Sequence, residues 1–397
     1  MLEERGADNR GIFTMENHDG PFAKLSHLVH KRLLWLLIAS YALAACYPAI
    51  GLWIRDVKIG AVSVCGSRTH VSLSMLMLAS LLLNAGLGVR LSDMGKILAR
   101  PRLLGAGLAA NLIVPIAFIL VVTRMMSGWH NADEVQNILV GLALVASMPI
   151  AGSSTAWAQN ADGELALSLG LVLFSTLLSP LTTPLALHSV GLMATGDYAE
   201  DLHELAAGGT GAFLGICVLA PSLIGIGIRQ IIGDVRIAAV KPHLKLVNSA
   251  VLLTLNYSNA SVSLPQAVAE PDPDFLILTL VVVVSLCAIA FTAGWQIAQT
   301  FKATPSQRTA LMFGLGMNNN GTGLVLASLS LADHPRVMLP IIFYNLVQHL
   351  VAGIVDRLVC RRSDERATKR PFAIAKPRNV ATMSRNLIGV SSFFGEK

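Results

Sequence analysis

The chain has 397 residues, 53% of them hydrophobic and 14% charged, with a mean hydropathy of +0.61. Soluble domains carry about 25% charge, so this composition excludes a string of water-soluble domains and makes a lipid bilayer the expected solvent. The net charge of +6 reads as anchoring to an anionic leaflet, and no nucleic-acid partner is expected.

Residues 1–32 mix both charges and read as a retained tail, because the apolar run after them is longer than a signal-peptide core and no convincing cleavage site follows. Apolar runs of roughly twenty residues, the length that crosses a hydrocarbon core of ~30 Å, then predict spans at 33–54, 71–89, 103–126, 138–157 and 165–187. Five more are predicted at 211–232, 244–264, 275–298, 310–331 and 337–359. The fourth, seventh and ninth of these carry many Ser, Thr, Asn and Gly residues. Residues 360–397 are basic and polar, a second tail without a core of its own. Cys46, Cys65, Cys217, Cys287 and Cys360 are isolated, with no metal-ligand spacing, and read as small apolar fillers.

The connections divide by charge. Those on the side of the tails hold Arg90, Lys96, Arg100 and Arg102, then Arg229, Arg236, Lys241 and Lys245, then Lys302 and Arg308. The opposite connections hold Arg55, Lys58, Arg68, Arg124 and Arg336, and two of them are acidic: Asp197, Glu200, Asp201 and Glu204 in one, Glu270, Asp272 and Asp274 in the other. With the tails included, 25 of the 30 Lys and Arg fall on one side. The positive-inside rule therefore predicts a multi-pass protein of the cell or inner membrane with both termini cytoplasmic.

Two spans are interrupted. The fourth meets Pro149-Ile150-Ala151-Gly152-Ser153-Ser154-Thr155, where Pro149 removes a backbone donor and Gly152 eases unwinding. The ninth repeats the design as Gly314-Leu315-Gly316-Met317-Asn318-Asn319-Asn320-Gly321. Backbone freed from helical bonding inside a membrane survives only when buried in protein or lining a cavity. One break in each five-span half predicts an all-α fold of about ten transmembrane helices, with a first repeat at 33–190 and an inverted second repeat at 210–359. The two broken helices are expected to cross. His188 and His349 sit late in the fifth and tenth spans, where packed histidines are the default reading. The sequons at Asn256, Asn259 and Asn320 lie inside spans and are discarded.

At the breaks the sequence resembles the bile acid:sodium symporter family. That family carries Pro-Gly-Gly-x-x-Ser-Asn and then Ala-Leu-Ser in its fourth and fifth spans, and Glu-x-Gly-x-Gln-Asn-x-Gly in its ninth. Here the matching stretches are Pro149 to Thr155, Ala166-Leu167-Ser168 and Gly314 to Gly321. The resemblance implies crossed, broken helices that bind Na⁺ as coupling ion beside an organic-anion cavity. Its ion ligands map to Ser154, Thr155 (Asn in the family), Ser168 and Asn318 (Gln in the family). The family Glu is Gly314 here, a Thr ligand is Val172, and a Gln falls at Ala110 with Asn111 beside it. At most one Na⁺ site is therefore expected, and Ser153, Asn319, Asn320, Asn111 and His349 are candidates for the substrate.

The function expected is secondary active transport of a small organic anion, by sodium symport or by a sodium-independent carrier. An arsenite-type permease is disfavoured because no Cys lies in the fourth span. An intramembrane enzyme needs a Ser/His or paired-Asp arrangement, for which Ser154 with His349 is the nearest candidate, and a channel would keep the same helices. Substitution of Asn319 is expected to abolish transport, and substitution of Asn256 or Asn259 to do less, because the seventh span has no glycine-rich break.

Overall fold

The computed structural model describes residues 32–64, 67–90 and 100–368, with single positions at 25, 28, 29, 92, 95 and 98. The rest of the two tails, Cys65 and Lys96 lie outside the described residues. Met1–Asp356 form one compact unit and Arg357–Lys397 a second, of which only the turns through residue 368 are described.

The chain begins with α1 (Leu33–Cys46) and α2 (Pro48–Asp56), which meet at an angle of 93°. The expected first span is thus itself broken. Pro48 has no backbone N–H and disfavours the helical conformation at Tyr47, which lies at φ −133° and ψ 68°. An antiparallel hairpin follows, β1 (Lys58–Val64) with β2 (Ser67–Ser72), a departure from the all-α expectation. Here β-branched Val and Ile alternate with Gly and Ser, a composition better suited to a pleated pair than to a helix.

The Ser72 hydroxyl accepts from the Met75 N–H and starts α3 (Leu73–Leu87). Next come α4 (Pro101–Met125), α5 (Ala132–Ser147), α6 (Ser153–Asn160), α7 (Leu165–Gly191) and α8 (Asp197–Gly208). The connection expected at 197–204 is therefore helical. Tyr198, Leu202 and Leu205 recur at helical spacing and are buried, while Asp197 and Glu200 stand in the first turn.

The second half holds α9 (Thr210–Ile232), which includes a wider π turn at Gly215–Leu219, and α10 (Asp234–Ala260). It continues through α11 (Leu264–Ala269), α12 (Pro273–Thr300), α13 (Pro305–Gly316), α14 (Asn320–Ser330) and α15 (Met338–Thr368). Thr304 and Gln307 form a reciprocal capping box at the start of α13.

Among the described residues, five helices are long and apolar enough to cross a membrane: Pro101–Gly128, Leu165–Gly191, Thr210–Ile232, Pro273–Thr300 and Pro335–Val359. The bent α1–α2 pair makes a sixth. Of the other expected spans, α3 is short, α10 carries charge in its first half, and α5–α6 and α13–α14 are each interrupted.

Two groups of helices pack around these elements. In the first, α1, α2, α3 and α9 gather on or beside α10; in the second, α4, α5, α7, α12 and α13 pack together with α6. Helices α3 and α9 approach so closely that Gly86 lies against the Ser222 carbonyl and Gly225 against the Leu83 carbonyl, with no room for a Cβ at either. The same junction is tied by buried Arg229, which bonds Asp234 at 2.6 Å and the Leu87 carbonyl.

Candidate functional site

Between α5 and α6 the chain runs extended through Met148 and Ile150, and between α13 and α14 through Met317. The two breaks lie side by side as an antiparallel bridge, Ile150 opposite Asn318. The Ala151 N–H donates to the Met317 carbonyl and the Asn319 N–H to the Pro149 carbonyl, both at 2.9 Å. Segments about 168 residues apart thus replace for each other the helical partners that each lost.

Side chains complete the backbone accounting. Ser175 Oγ accepts from the Ile150 N–H at 3.0 Å, and Thr183 Oγ1 donates to the Ser147 carbonyl at 2.6 Å. Asn318 Nδ2 donates to the Val145 carbonyl at 2.9 Å, one of the carbonyls that the end of α5 leaves open. Tyr344 Oη donates to the Gly316 carbonyl at 3.4 Å.

Several side-chain atoms at the crossing remain without a partner. Ser154 is fully buried and its Oγ bonds nothing; Asn318 is 3% exposed and its Oδ1 bonds nothing. Asn320 is buried with both amide atoms unpartnered, as is Thr322 Oγ1. Buried polar atoms without partners are rare in native proteins, so such a concentration makes the crossing the candidate site for a ligand or ion. Ser168 Oγ donates to Thr155 Oγ1 at 3.2 Å, which leaves both oxygens with lone pairs to offer. Because Ser154 Oγ bonds no base, the Ser154–His349 pair that an intramembrane hydrolase needs is not formed.

The other candidates separate. Asn319 is half-buried and caps α14 by accepting from the Thr322 N–H at 3.4 Å. Ser153 is half-buried in the first turn of α6. Asn111, on α4, is half-buried with Oδ1 unpartnered, but no bond joins it to the paired segments. His349 is half-buried on α15. His188 pairs instead with His203 of α8, Nδ1 to Nδ1 at 3.1 Å, at the exposed end of α7.

Around Gly314 the surroundings are apolar. A Cβ there would stand 2.8 Å from Leu171 Cδ1, and Leu171 belongs to a core cluster with Leu167, Leu311, Leu315 and Ile150, against which Val172 and Ala110 also pack. All three positions at which the family resemblance expects an oxygen ligand but this chain has none, Gly314, Val172 and Ala110, therefore meet one patch of hydrocarbon.

Four residues not anticipated from sequence join the crossing. Tyr41 Oη donates to Asn256 Oδ1 at 3.2 Å, and Asn345 Nδ2 donates to Tyr41 Oη at 2.7 Å and to Asn256 Oδ1 at 3.4 Å. Gln348 Nε2 donates to Asn345 Oδ1 at 3.3 Å, and Gln348 Oε1 accepts from the Asn318 N–H at 3.0 Å. Asn256 is 1% exposed and Asn259 fully buried, with Asn259 Oδ1 accepting from Ser328 of α14 at 3.3 Å. Asn256 and Asn259, whose substitution the sequence expects to do less than that of Asn319, are thus bonded to α1, α15 and α14 although α10 has no break of its own. The only signal in the sequence was the i, i+3 spacing of Asn345 and Gln348, which puts both on one helix face.

A family model described as Sodium Bile acid symporter family matches residues 75–270, a stretch that contains the first break. Two proteins of Bacillus subtilis (strain 168) are similar. Uncharacterized protein YbaS is 27% identical over 224 residues, 56% of this chain and 69% of its own length. Uncharacterized sodium-dependent transporter YocS is 23% identical over 309 residues, 77% of this chain and 84% of its own. Residues 75–270 thus resemble the sodium bile acid symporter family, a resemblance that supports a membrane transporter.

Proposed function

We propose that this chain is a secondary active transporter that carries a small organic anion together with a single Na⁺ through the crossing of α5–α6 and α13–α14. The observation that carries this reading is the pair of buried, unpartnered oxygens, Ser154 Oγ and Asn318 Oδ1, on backbone segments that bond to each other. Oxygen donors without fixed charge suit a monovalent hard cation, and in this reading the Thr155 and Ser168 hydroxyls, bonded to each other, are further donors. The name of YocS, a sodium-dependent transporter, agrees with that choice.

One ion is preferred to two on electrostatic grounds. Two unit charges 4 Å apart repel by about 4 kcal/mol at an effective dielectric of about 20, and the position that would hold a neutralising carboxylate is Gly314, packed against Leu171. One cation beside one carboxylate or other monovalent anion leaves the site neutral. The N-terminal ends of α6 and α14 favour that anion through the positive ends of their helix dipoles, and Ser153 and Asn320 stand in the first turns there.

In this reading the chain forms ten spans in two inverted repeats, 33–190 and 210–359, with both termini cytoplasmic. The interrupted pairs α5–α6 and α13–α14 are the fourth and ninth spans.

The test is uptake of candidate organic anions into sealed vesicles with and without an imposed Na⁺ gradient. Accumulation that needs the gradient and saturates with a Hill coefficient near one supports the reading. Accumulation indifferent to Na⁺ identifies a sodium-independent carrier, and dissipation without accumulation identifies a channel.

A further inference from the structure

The orientation of Asn318 is set from a distance. Its backbone N–H, released from helical bonding, donates to Gln348 Oε1, and that amide is held in turn by Asn345, Tyr41 and Asn256. The direction of the chain follows from its two ends. At one end the donor is a backbone N–H that cannot turn over; at the other, Asn256 Nδ2 donates at 3.0 Å to the Leu252 carbonyl, an acceptor that cannot turn over either. Between them, reversing any amide would set donor against donor or acceptor against acceptor. Asn318 Nδ2 is also committed, to Val145, which leaves Oδ1 as the one open atom.

The chain also joins two groups of helices. Tyr41 lies on α1 and Asn256 on α10, which pack on each other, and neither helix contributes to the paired segments. Asn345 and Gln348 lie on α15, next to the crossing. All five side chains are at most 7% exposed, so a shift of Asn318 that breaks its bond to Gln348 strands a donor and an acceptor away from water. A second bond, Ser328 to Asn259, runs between α14 and α10.

We propose that Tyr41, Asn256, Asn345 and Gln348 are positioning residues that hold Asn318 with its Oδ1 open to the coupling cation and transmit occupancy of that site to α1 and α10. The proposal rests on reading the crossing as a cation site. Occupancy at Asn318 and order in α1 and α10 are then coupled, and coupling of this kind works in both directions.

Amide hydrogen exchange of the purified full-length protein, in NaCl against equal choline chloride, separates the possibilities. In the parent protein Na⁺ should slow exchange both at the crossing, in peptides covering 148–160, and in α1 and residues 252–260. Tyr41→Phe keeps the ring and removes one hydroxyl; it should abolish the Na⁺ response of α1, keep the response of the crossing, and weaken apparent Na⁺ affinity about 5-fold or more. Gln348→Met, which strips the Asn318 N–H of its acceptor, should weaken affinity further; if it does not fold, Tyr41→Phe decides alone. A Tyr41→Phe protein with lower thermal stability but unchanged Na⁺ responses in both segments makes the chain a purely structural brace and overturns the proposal. A parent protein in which Na⁺ protects the crossing only overturns the transmission. If Na⁺ protects no segment of the parent, the cation reading itself fails and takes the relay with it.

Discussion

Asn318→Ala removes two interactions of different kinds, and their magnitudes can be separated. Loss of Nδ2 strands the Val145 carbonyl, bonded at 2.9 Å in a buried setting, at a cost of about 1–3 kcal/mol in stability. Loss of Oδ1 removes an acceptor from the cation; an interaction with a charged group contributes about 1.5–3 kcal/mol, which is about 10- to 150-fold in affinity at roughly 1.4 kcal/mol per decade. Thr183→Val is the matched control, because it strands the Ser147 carbonyl of the same break, bonded at 2.6 Å, with no oxygen of its own in the cation site. Equilibrium binding of radioactive sodium to purified protein, together with thermal unfolding, should show both variants destabilised and only Asn318→Ala impaired in binding. Sodium affinity equal to the parent's in a monodisperse Asn318→Ala protein would refute the assignment of Oδ1.

Restoring a carboxylate by Gly314→Glu should destabilise the protein, since the new side chain must displace Leu171 and bury a charge in hydrocarbon; adding Leu171→Ala should recover part of the loss and raise the Hill coefficient for Na⁺ above one, and a parent protein whose uptake already rises with the square of Na⁺ concentration would contradict the single-ion reading. Asn319→Ala should abolish uptake while costing about 1 kcal/mol of stability through the lost α14 cap, and near-normal uptake by a well-expressed variant would reduce Asn319 to that cap. Arg229→Ala should lower thermal stability by about 1–3 kcal/mol, because it leaves the Leu87 carbonyl unpartnered between α3 and α9, with Na⁺ affinity unchanged; a loss of affinity would show that the junction serves the site. Reporter fusions after residue 397 and within 197–208 should report opposite sides of the membrane, and an external C-terminus would overturn the ten-span topology.

The elements most legible in sequence were those whose signal is local. Uniform apolar runs specify α4, α7, α9 and α12 because a bilayer demands that every backbone group bond within its own helix, and Pro149 with Gly152 or the Asn318 run mark breaks because they withdraw that bonding at once. The helix at Asp197–Gly208 was hidden by its acidic residues, although the buried Tyr198, Leu202 and Leu205 sit at helical spacing. The bend at Tyr47 was carried by a single proline inside an apolar run, which hydropathy averages away. The hairpin at 58–72 was read as a connection because its charges were counted while its pairing was not.

Sequence by itself determined that this chain belongs in a membrane, where its helices are interrupted and which residue types stand at the interruptions, since solvent and backbone chemistry act on each segment separately. Only the tertiary structure decided which polar groups meet. The same kind of residue, an asparagine in an apolar helix, became an open acceptor at 318, a helix cap at 319, an unpartnered amide at 320 and a link in a hydrogen-bonded chain at 256 and 345. No local pattern distinguishes these roles, because each depends on the donor or acceptor that another helix presents across a buried seam, and that partner is chosen by packing between residues as far apart as Tyr41 and Asn345.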